Sequence, residues 1–367
     1  MKGLQNITVL PGDGIGPEVV AQAIKVLDAL KTKYGHAWTY TYADIGAVAI
    51  DKHGSPYPEA THAACIAADA VLLGAIGDPK YDNDPSATVR PEQGLLAMRK
   101  ALGLFSNIRP LRVHPKLAPM SPVKADRLVG VDFVVCRELT GGIYFGEKTT
   151  GEDFASDLCL YTRPEIERIA KQAFELASRR RGKLTLIDKA NVLASSQLWR
   201  SVVQAMSADY PTVTTDYLFV DNAAMQLILN PAQFDVLLCS NLFGDIISDE
   251  ASVLAGSIGL LPSASRGEAH ALYEPVHGSY PQAAGKDIAN PFATVLSVVM
   301  LLRDFGLAAE ADDVQAAVDY CLDQDIGTPD LHLATATSCS AIGTLLADFI
   351  EGGEAAVRRA AVSNAQA

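Results

Sequence analysis

Apolar residues along this chain keep two rhythms. Short unbroken apolar runs bounded by Gly, Pro, Asp or Asn predict strands buried on both faces, and longer stretches with apolar positions three or four apart predict amphipathic helices. Residues 7–10 read as a strand. Gly12, Gly14 and Gly16 then make a tight turn, and Pro17 suits the first position of a helix over 18–30. A strand at 40–44, a short helix at 58–68 and a buried strand at 69–76 come next. The Asp- and Pro-rich stretch 77–91 is too long for a simple connection and predicts a loop ahead of a helix over 92–102. Residues 131–139 are a strand, and a Gly-rich turn then leads into an extended arm around Tyr144. Thr162 and Glu165 form a capping box for a helix with apolar Ile166, Ile169, Ala170, Ala173, Phe174 and Ala177. The basic run Arg179, Arg180, Arg181 reads as compensation of that helix's dipole.

From there the pattern is regular. Strands at 183–188, 215–220 and 234–239 alternate with helices at 195–206, 223–229 and 244–254, which predicts a largely parallel sheet covered on both sides. Three strand ends deliver Lys189, Asp221 and Asp245 in succession. After Ser257 the run SIGLLPSAS leads to a long Gly/Pro-bounded loop, EPVHGSYPQAAGKDIANP, then a helix over 294–304 and Ala-rich helical sequence, with a frayed tail beyond Gly352.

Asp245 and Asp249 are four residues apart, so a helix puts them on one face about 5–6 Å apart at Cβ. Two readings compete. They are first-turn aspartates stabilised by the helix dipole, or a cation offsets their repulsion. A carboxylate pair beyond the C-terminal end of a buried strand lies where open α/β sheets bind ligands, and oxygen ligation suits Mg²⁺ or Mn²⁺. Arg99 and Arg109 are forks matched to carboxylates, or arginines in surface ion pairs.

Composition narrows the field. With 367 residues the chain holds two domains or one large one, and a net charge of -13 argues against nucleic acid or an anionic membrane as partner. Six cysteines without a C-x-x-C spacing suit buried thiols in a reducing compartment. No apolar segment approaches the ~18 residues of a membrane span, and the first residues run straight into P-G-D-G with no room for a signal peptide. The expectation is a cytoplasmic protein. The glycines are spaced G-x-G-x-G, so the G-x-G-x-x-G dinucleotide fingerprint is not met, and taken alone they read as a generic strand-to-helix turn.

The segments LPGDGIGPEV, RPEQGLLAMRK, NIRP, CRELTGGIYFGE, DKANV, SNLFGDIISDEASVLAGSIGLLPSAS and EPVHGSYPQAAGKDIANP together resemble the β-decarboxylating dehydrogenases that act on isocitrate and isopropylmalate. The resemblance runs from about residue 7 to about residue 350. It implies an α/β fold of two domains with a large mixed sheet and no Rossmann unit. The implied division is a cofactor-binding domain, 1–104 and 257–367, and a metal, substrate and dimerisation domain, 105–256, with an arm at about 140–160. It implies oxidative decarboxylation of 3-isopropylmalate to 4-methyl-2-oxopentanoate with reduction of NAD, in a homodimer with shared active sites.

Residue by residue, the resemblance makes Arg99, Arg109 and Arg137 the clamp on the malate carboxylates, and Leu95, Leu96 and Val192 further substrate contacts. Asp245 and Asp249, with Asp221 from the neighbouring subunit, become the ligands of Mg²⁺ or Mn²⁺, Asp221 also touching substrate. Tyr144 and the neighbour's Lys189 become the acid/base pair. Gly12, Gly14, Gly16, Glu92, Asn191, His277, Gly278, Ser279, Gln282 and Asn290 become cofactor contacts. Gln282 departs from the family, since NAD-using members commonly carry an aspartate there and NADP-using ones a lysine followed by a tyrosine. Here Ala283 follows.

Leu95 and Leu96 are apolar where an isocitrate enzyme needs a polar residue, although an amphipathic helix would also place leucines in its core. Isocitrate, tartrate and homoisocitrate enzymes are the rivals within the family. A metal-dependent phosphohydrolase could use the same aspartates, but neither it nor a non-catalytic binding protein would need Tyr144 and Lys189.

Overall fold

The computed structural model describes residues 3–82 and 88–365. Residues 83–87, inside the loop expected at 77–91, lie outside the described residues. The chain forms two compact units, Met1–Gly103 with Ser257–Ala367, and Leu104–Gly256.

The first unit begins with β1 (Asn6–Gly12), α1 (Gly16–Tyr34), β2 (Thr39–Tyr42), α2 (Ala47–His53), α3 (Glu59–Ala67), β3 (Ala70–Ala75), α4 (Pro79–Asp82) and α5 (Pro91–Ala101). Every residue of β3 is buried, as its unbroken apolar run requires. The second unit contains β4 (Ser106–Arg112), α6 (Ala125–Leu128), β5 (Asp132–Glu138), β6 (Lys148–Thr150), β7 (Ala155–Asp157), α7 (Arg163–Ser178) and β8 (Lys183–Asp188). It continues with α8 (Ala194–Ser207), β9 (Thr214–Phe219), α9 (Val220–Leu229), β10 (Val236–Cys239) and α10 (Asn241–Ser252). The chain then returns to the first unit through β11 (Pro262–Arg266), β12 (Ala271–Pro275), α11 (Phe292–Asp304), α12 (Ala308–Asp323), the short strands β13 (Ile326–Gly327) and β14 (Thr335–Ala336), and α13 (Cys339–Ala365).

Five strands of mixed sheet lie in each unit. The first unit orders them β2-β1-β3-β12-β11, parallel except for the antiparallel pair β11/β12. The second orders them β4-β5-β10-β8-β9, parallel except for β4/β5. Most of α11 is buried, Phe292 through Val295 and Ser297 through Leu302 among its buried positions, and it packs on β11 and β12 as the core of its unit. In the second unit α7 buries the six apolar positions read from its periodicity.

Several expectations change. Strands β4 and β11 stand in stretches for which the sequence suggested no element, and β12 runs into the start of the expected loop. Helix α2 was not anticipated. The tail is helical after a kink at Gly352 and Gly353, where the sequence suggested fraying. Glu165 does reach back to the Thr162 N–H at 2.7 Å and completes the expected capping box. Among the three arginines after α7, Arg179 donates to Glu175 O, a carbonyl of the last turn. Arg180 instead bridges Asp132 and the buried Asp235, and Arg181 donates to Phe234 O, so these two tie α7 to the start of the neighbouring strands.

Candidate active site

Helix α10 starts at Asn241, earlier than the apolar spacing suggested, so Asp245 and Asp249 lie beyond its first turn. That removes the reading as dipole-stabilised first-turn aspartates. Both carboxylates meet cationic partners. Asp245 accepts from Arg137 Nη1 through one oxygen and from the Tyr144 hydroxyl through the other, at 2.9 Å. Asp249, 70% exposed, accepts from Arg109 Nη1 at 3.2 Å. The two guanidiniums supply the positive charge that the repelling pair demands. Repulsion alone is therefore no argument for a cation in this structure.

Arg137 comes from β5 and is 8% exposed, and Arg109 comes from β4 and is 15% exposed. Arg109 also donates from Nε to Asn107 Oδ1 and from Nη1 to Ser248 Oγ. These are positioned groups, which answers the alternative of loose surface pairs. Tyr144 ends the one-turn 3-10 segment Gly142–Tyr144. Burial first, then the Asp245 carboxylate, raises its phenol above the ordinary range, so it stays a proton donor at neutral pH.

Lys189 follows β8 and donates from Nζ to Asp221 at 2.7 Å. Asp221 sits in the first turn of α9 and not at the strand end, and Lys189 holds its carboxyl below the usual range. Among the described residues no three His, Cys, Asp or Glu side chains gather to hold a metal. Asp245 and Asp249 thus offer an oxygen pair on one helix face, and any further ligand would have to come from elsewhere. That donor set fits Mg²⁺ or Mn²⁺ only when completed by another carboxylate, substrate oxygens or water. Asn191 and Val192 are exposed just after Lys189.

The first unit carries the remaining candidates. Gly12 and Gly14 have positive φ and lie so close to Ala75 O and Ser279 O that a Cβ at either would collide; Gly16 opens α1 against Pro11 O. Between them Asp13 is buried and accepts from the N–H groups of Ala47, Val48 and Gly77, each at 2.9 Å. Burial raises the Asp13 carboxyl despite those three bonds. Ile15 N–H donates to Ser279 O at 2.8 Å, which joins the turn to the His277–Gly278–Ser279 segment. Glu92, exposed at the start of α5, brings Oε1 beside Gly77.

His277 donates from Nδ1 to Gly278 O at 2.9 Å, so in the neutral ring Nε2 is an acceptor. That Nε2 is buried with no partner among the described residues, and burial lowers the ring's pKa and keeps it neutral. An acceptor left this way, beside a cradle that admits only glycine, fits a ligand rich in N–H and O–H groups such as a nucleotide. Asn290 is less available, since its amide donates to Asp330 and accepts from Phe292 N–H. Gln282 is exposed in the turn Pro281–Ala283. Asp287 turns to the Ser340 N–H and hydroxyl, at 2.7 and 2.5 Å, and Glu18 accepts from the N–H groups of Gly285 and Asp287.

On α5, Leu95 is half-buried and Leu96 is 48% exposed, whereas Met98 fills the core. Leu96 is therefore not a core leucine. Arg99, one turn on, is 17% exposed and donates to Glu274 at 2.8 Å.

Sequence reasoning passed over Asp13, Glu18, Glu138, Tyr161, Asn241 and Glu274. All but Tyr161 stood inside quoted motifs, so proximity was their only signal. Glu138 is fully buried and accepts from the Thr140 and Gly141 N–H groups, holding the turn before Tyr144.

The family model for isocitrate/isopropylmalate dehydrogenase matches residues 6–346. A 3-isopropylmalate dehydrogenase of Bacteroides fragilis is 55% identical over 94% of this chain and 98% of its own length. One from Bacillus subtilis is 51% identical over 89% and 92%. Among solved structures, isocitrate dehydrogenase from Methylococcus capsulatus superposes with a TM-score of 0.84 at 32% identity, covering 95% of this chain and 100% of that one. A β-decarboxylating dehydrogenase from Thermococcus kodakarensis gives 0.80 at 35% identity, covering 95% and 96%.

Proposed function

Since the chain belongs to the isocitrate/isopropylmalate dehydrogenase family, we propose that it oxidises and decarboxylates 3-isopropylmalate to 4-methyl-2-oxopentanoate and CO₂ with reduction of NAD, a step of leucine biosynthesis. The observation that carries the substrate choice is on α5. Leu96 is left unburied by its own unit, beside half-buried Leu95 and one turn from Arg99, so apolar surface and a carboxylate receptor share one helix. An isopropyl group beside a carboxylate matches that pair, whereas the extra carboxylate of isocitrate would be desolvated against leucine at considerable cost.

In this reading Arg99, Arg109 and Arg137 orient the substrate carboxylates. The paired acids Asp245 and Asp249 hold Mg²⁺ or Mn²⁺ with Asp221 of a second copy, which also touches substrate. Such an ion, when bound, lowers the pKa of the substrate hydroxyl and stabilises negative charge developing on oxygen. Lys189 of the second copy takes up the hydroxyl proton, and Val192 beside it contacts substrate. Tyr144, kept protonated, returns a proton to carbon after CO₂ departs. Gly12, Gly14, Gly16, Glu92, Asn191, His277, Gly278, Ser279, Gln282 and Asn290 receive NAD.

The unit carrying the glycine turn is thus the cofactor domain, and 105–256 the metal, substrate and dimerisation domain. Exposed Phe154, Leu158 and Leu160 around the β6/β7 hairpin support a homodimer built through that arm. No described helix is long and apolar enough to cross a membrane. Five of the six cysteines are buried and none of the six is in a disulfide among the described residues, which suits the cytoplasm, where we place the enzyme. The direct test is NADH formation with 3-isopropylmalate against isocitrate, tartrate and homoisocitrate. Preference for isocitrate would overturn the assignment.

Two further outcomes are expected. Leu96→Ser should lower kcat/KM for 3-isopropylmalate more than for unsubstituted malate, by about 10-fold or more, the worth of one or two methyl contacts. An equal loss on both substrates would make Leu96 merely structural.

The second concerns Gln282, which lacks the charge that would repel a 2′-phosphate but can still hydrogen-bond a 2′-hydroxyl. NAD should remain preferred, and Gln282→Asp should widen the NAD over NADP ratio of kcat/KM by about ten-fold, the equivalent of ~1.4 kcal/mol. A ratio that the substitution leaves unmoved would show that this side chain does not face the adenosine ribose.

A further inference from the structure

Asn241 opens α10 and is 1% exposed. Every polar group of its side chain is used. Oδ1 accepts from Arg137 Nε at 3.2 Å and from Nη2 at 2.9 Å, and Nδ2 donates to Gly141 O at 3.2 Å. A guanidinium only donates, so Oδ1 must face Arg137, and the amide has a single orientation. The backbone N–H of Asn241 donates to the Tyr161 hydroxyl at 2.9 Å, and Tyr161 packs edge-on against Trp199. Asn241 is therefore held at both ends, by a buried aromatic pair and by the chain leading to Tyr144.

Gripping Nε and Nη2 with one oxygen fixes both the plane and the rotation of the Arg137 guanidinium, and it directs Nη1 toward Asp245. We propose that Asn241 is a positioning residue that sets the direction from which Arg137 meets a substrate carboxylate. This rests on the assignment of Arg137 to the carboxylate clamp. A guanidinium on a rotatable side chain binds a carboxylate tightly only when its fork is pre-aligned, and the amide supplies that alignment from inside the protein.

The test is a double-mutant cycle read by calorimetric binding of 3-isopropylmalate in the presence of Mg²⁺. Arg137→Met should weaken binding about 100-fold, as loss of a charge-assisted pair does. Asn241→Ala should weaken it about ten-fold in the native background, yet less than about two-fold when Arg137 is already Met, because its effect passes through that side chain. An equal loss in both backgrounds would make Asn241 a structural residue and overturn the proposal. Unchanged binding in Arg137→Met would overturn the clamp assignment, and this inference with it.

Two more variants cover the case in which Asn241→Ala does not fold. Asn241→Asp keeps an oxygen facing Nε and Nη2 and should bind within about five-fold of the native protein; a loss as large as that of Arg137→Met counts against the proposal. Asn241→Leu should lower the melting temperature in the native background and recover part of it with Arg137→Met, because the double replacement no longer buries a guanidinium without its acceptor, while the Gly141 carbonyl still lacks the Asn241 donor. No recovery would show that the two side chains are not coupled.

Discussion

Replacing Lys189 with Met should lower kcat by about 10²- to 10⁴-fold, the usual contribution of a positioned proton-transfer group, with the melting temperature nearly unchanged. Stability is spared because the Lys189–Asp221 pair is exposed, at 27% and 64%, and exposed ion pairs contribute little. The variant also tests the shared site. If Lys189 serves the neighbouring subunit, mixed dimers of Lys189→Met and Asp245→Asn chains contain one intact site, built from the Asp245 of one chain and the Lys189 of the other. Random mixing makes half the dimers mixed, with half their sites intact, so activity should return to about a quarter of native. If Lys189 acts within its own chain, no site is whole and mixing restores nothing. A Lys189→Met enzyme within about three-fold of native would remove Lys189 from the chemistry altogether.

Asp245→Asn should weaken binding of Mg²⁺ or Mn²⁺ at least ~30-fold, equivalent to ~2 kcal/mol for one charged ligand, and lower turnover with it. The fold should persist. An asparagine oxygen can still accept from Arg137 or from Tyr144, the two groups that hold Asp245 in the structure. Calorimetric titration of the ion reports affinity, and thermal melting reports the fold. Native activity of this variant with EDTA present would show that no metal acts there. A collapse of stability without loss of ion binding would make Asp245 a purely structural partner of Arg137.

The α/β alternation of 183–254 was readable because each strand there is a short apolar run and each helix carries its own periodicity. The same holds for α7, whose capping box and buried stripe are local patterns. The face shared by Asp245 and Asp249 follows from spacing alone, whatever the rest of the molecule does. The motif resemblance added roles to residues such as Tyr144 and Lys189, whose own neighbourhoods say little.

Long-range pairing decided what local pattern could not. β12 is a strand because Leu272 pairs with Val71 of β3, and β4 because its residues pair antiparallel with β5 despite Pro110. Neither partner is visible in a sequence window. Asp13 draws together N–H groups 34, 35 and 64 residues away, so its part in the glycine turn exists only in the folded chain. Helix α10 begins at Asn241, where the Tyr161 hydroxyl, 80 residues earlier, accepts the Asn241 backbone N–H. Periodicity cannot report such a start, because a helix's first N–H groups have no partner within the helix and take whatever acceptor the tertiary fold brings to them.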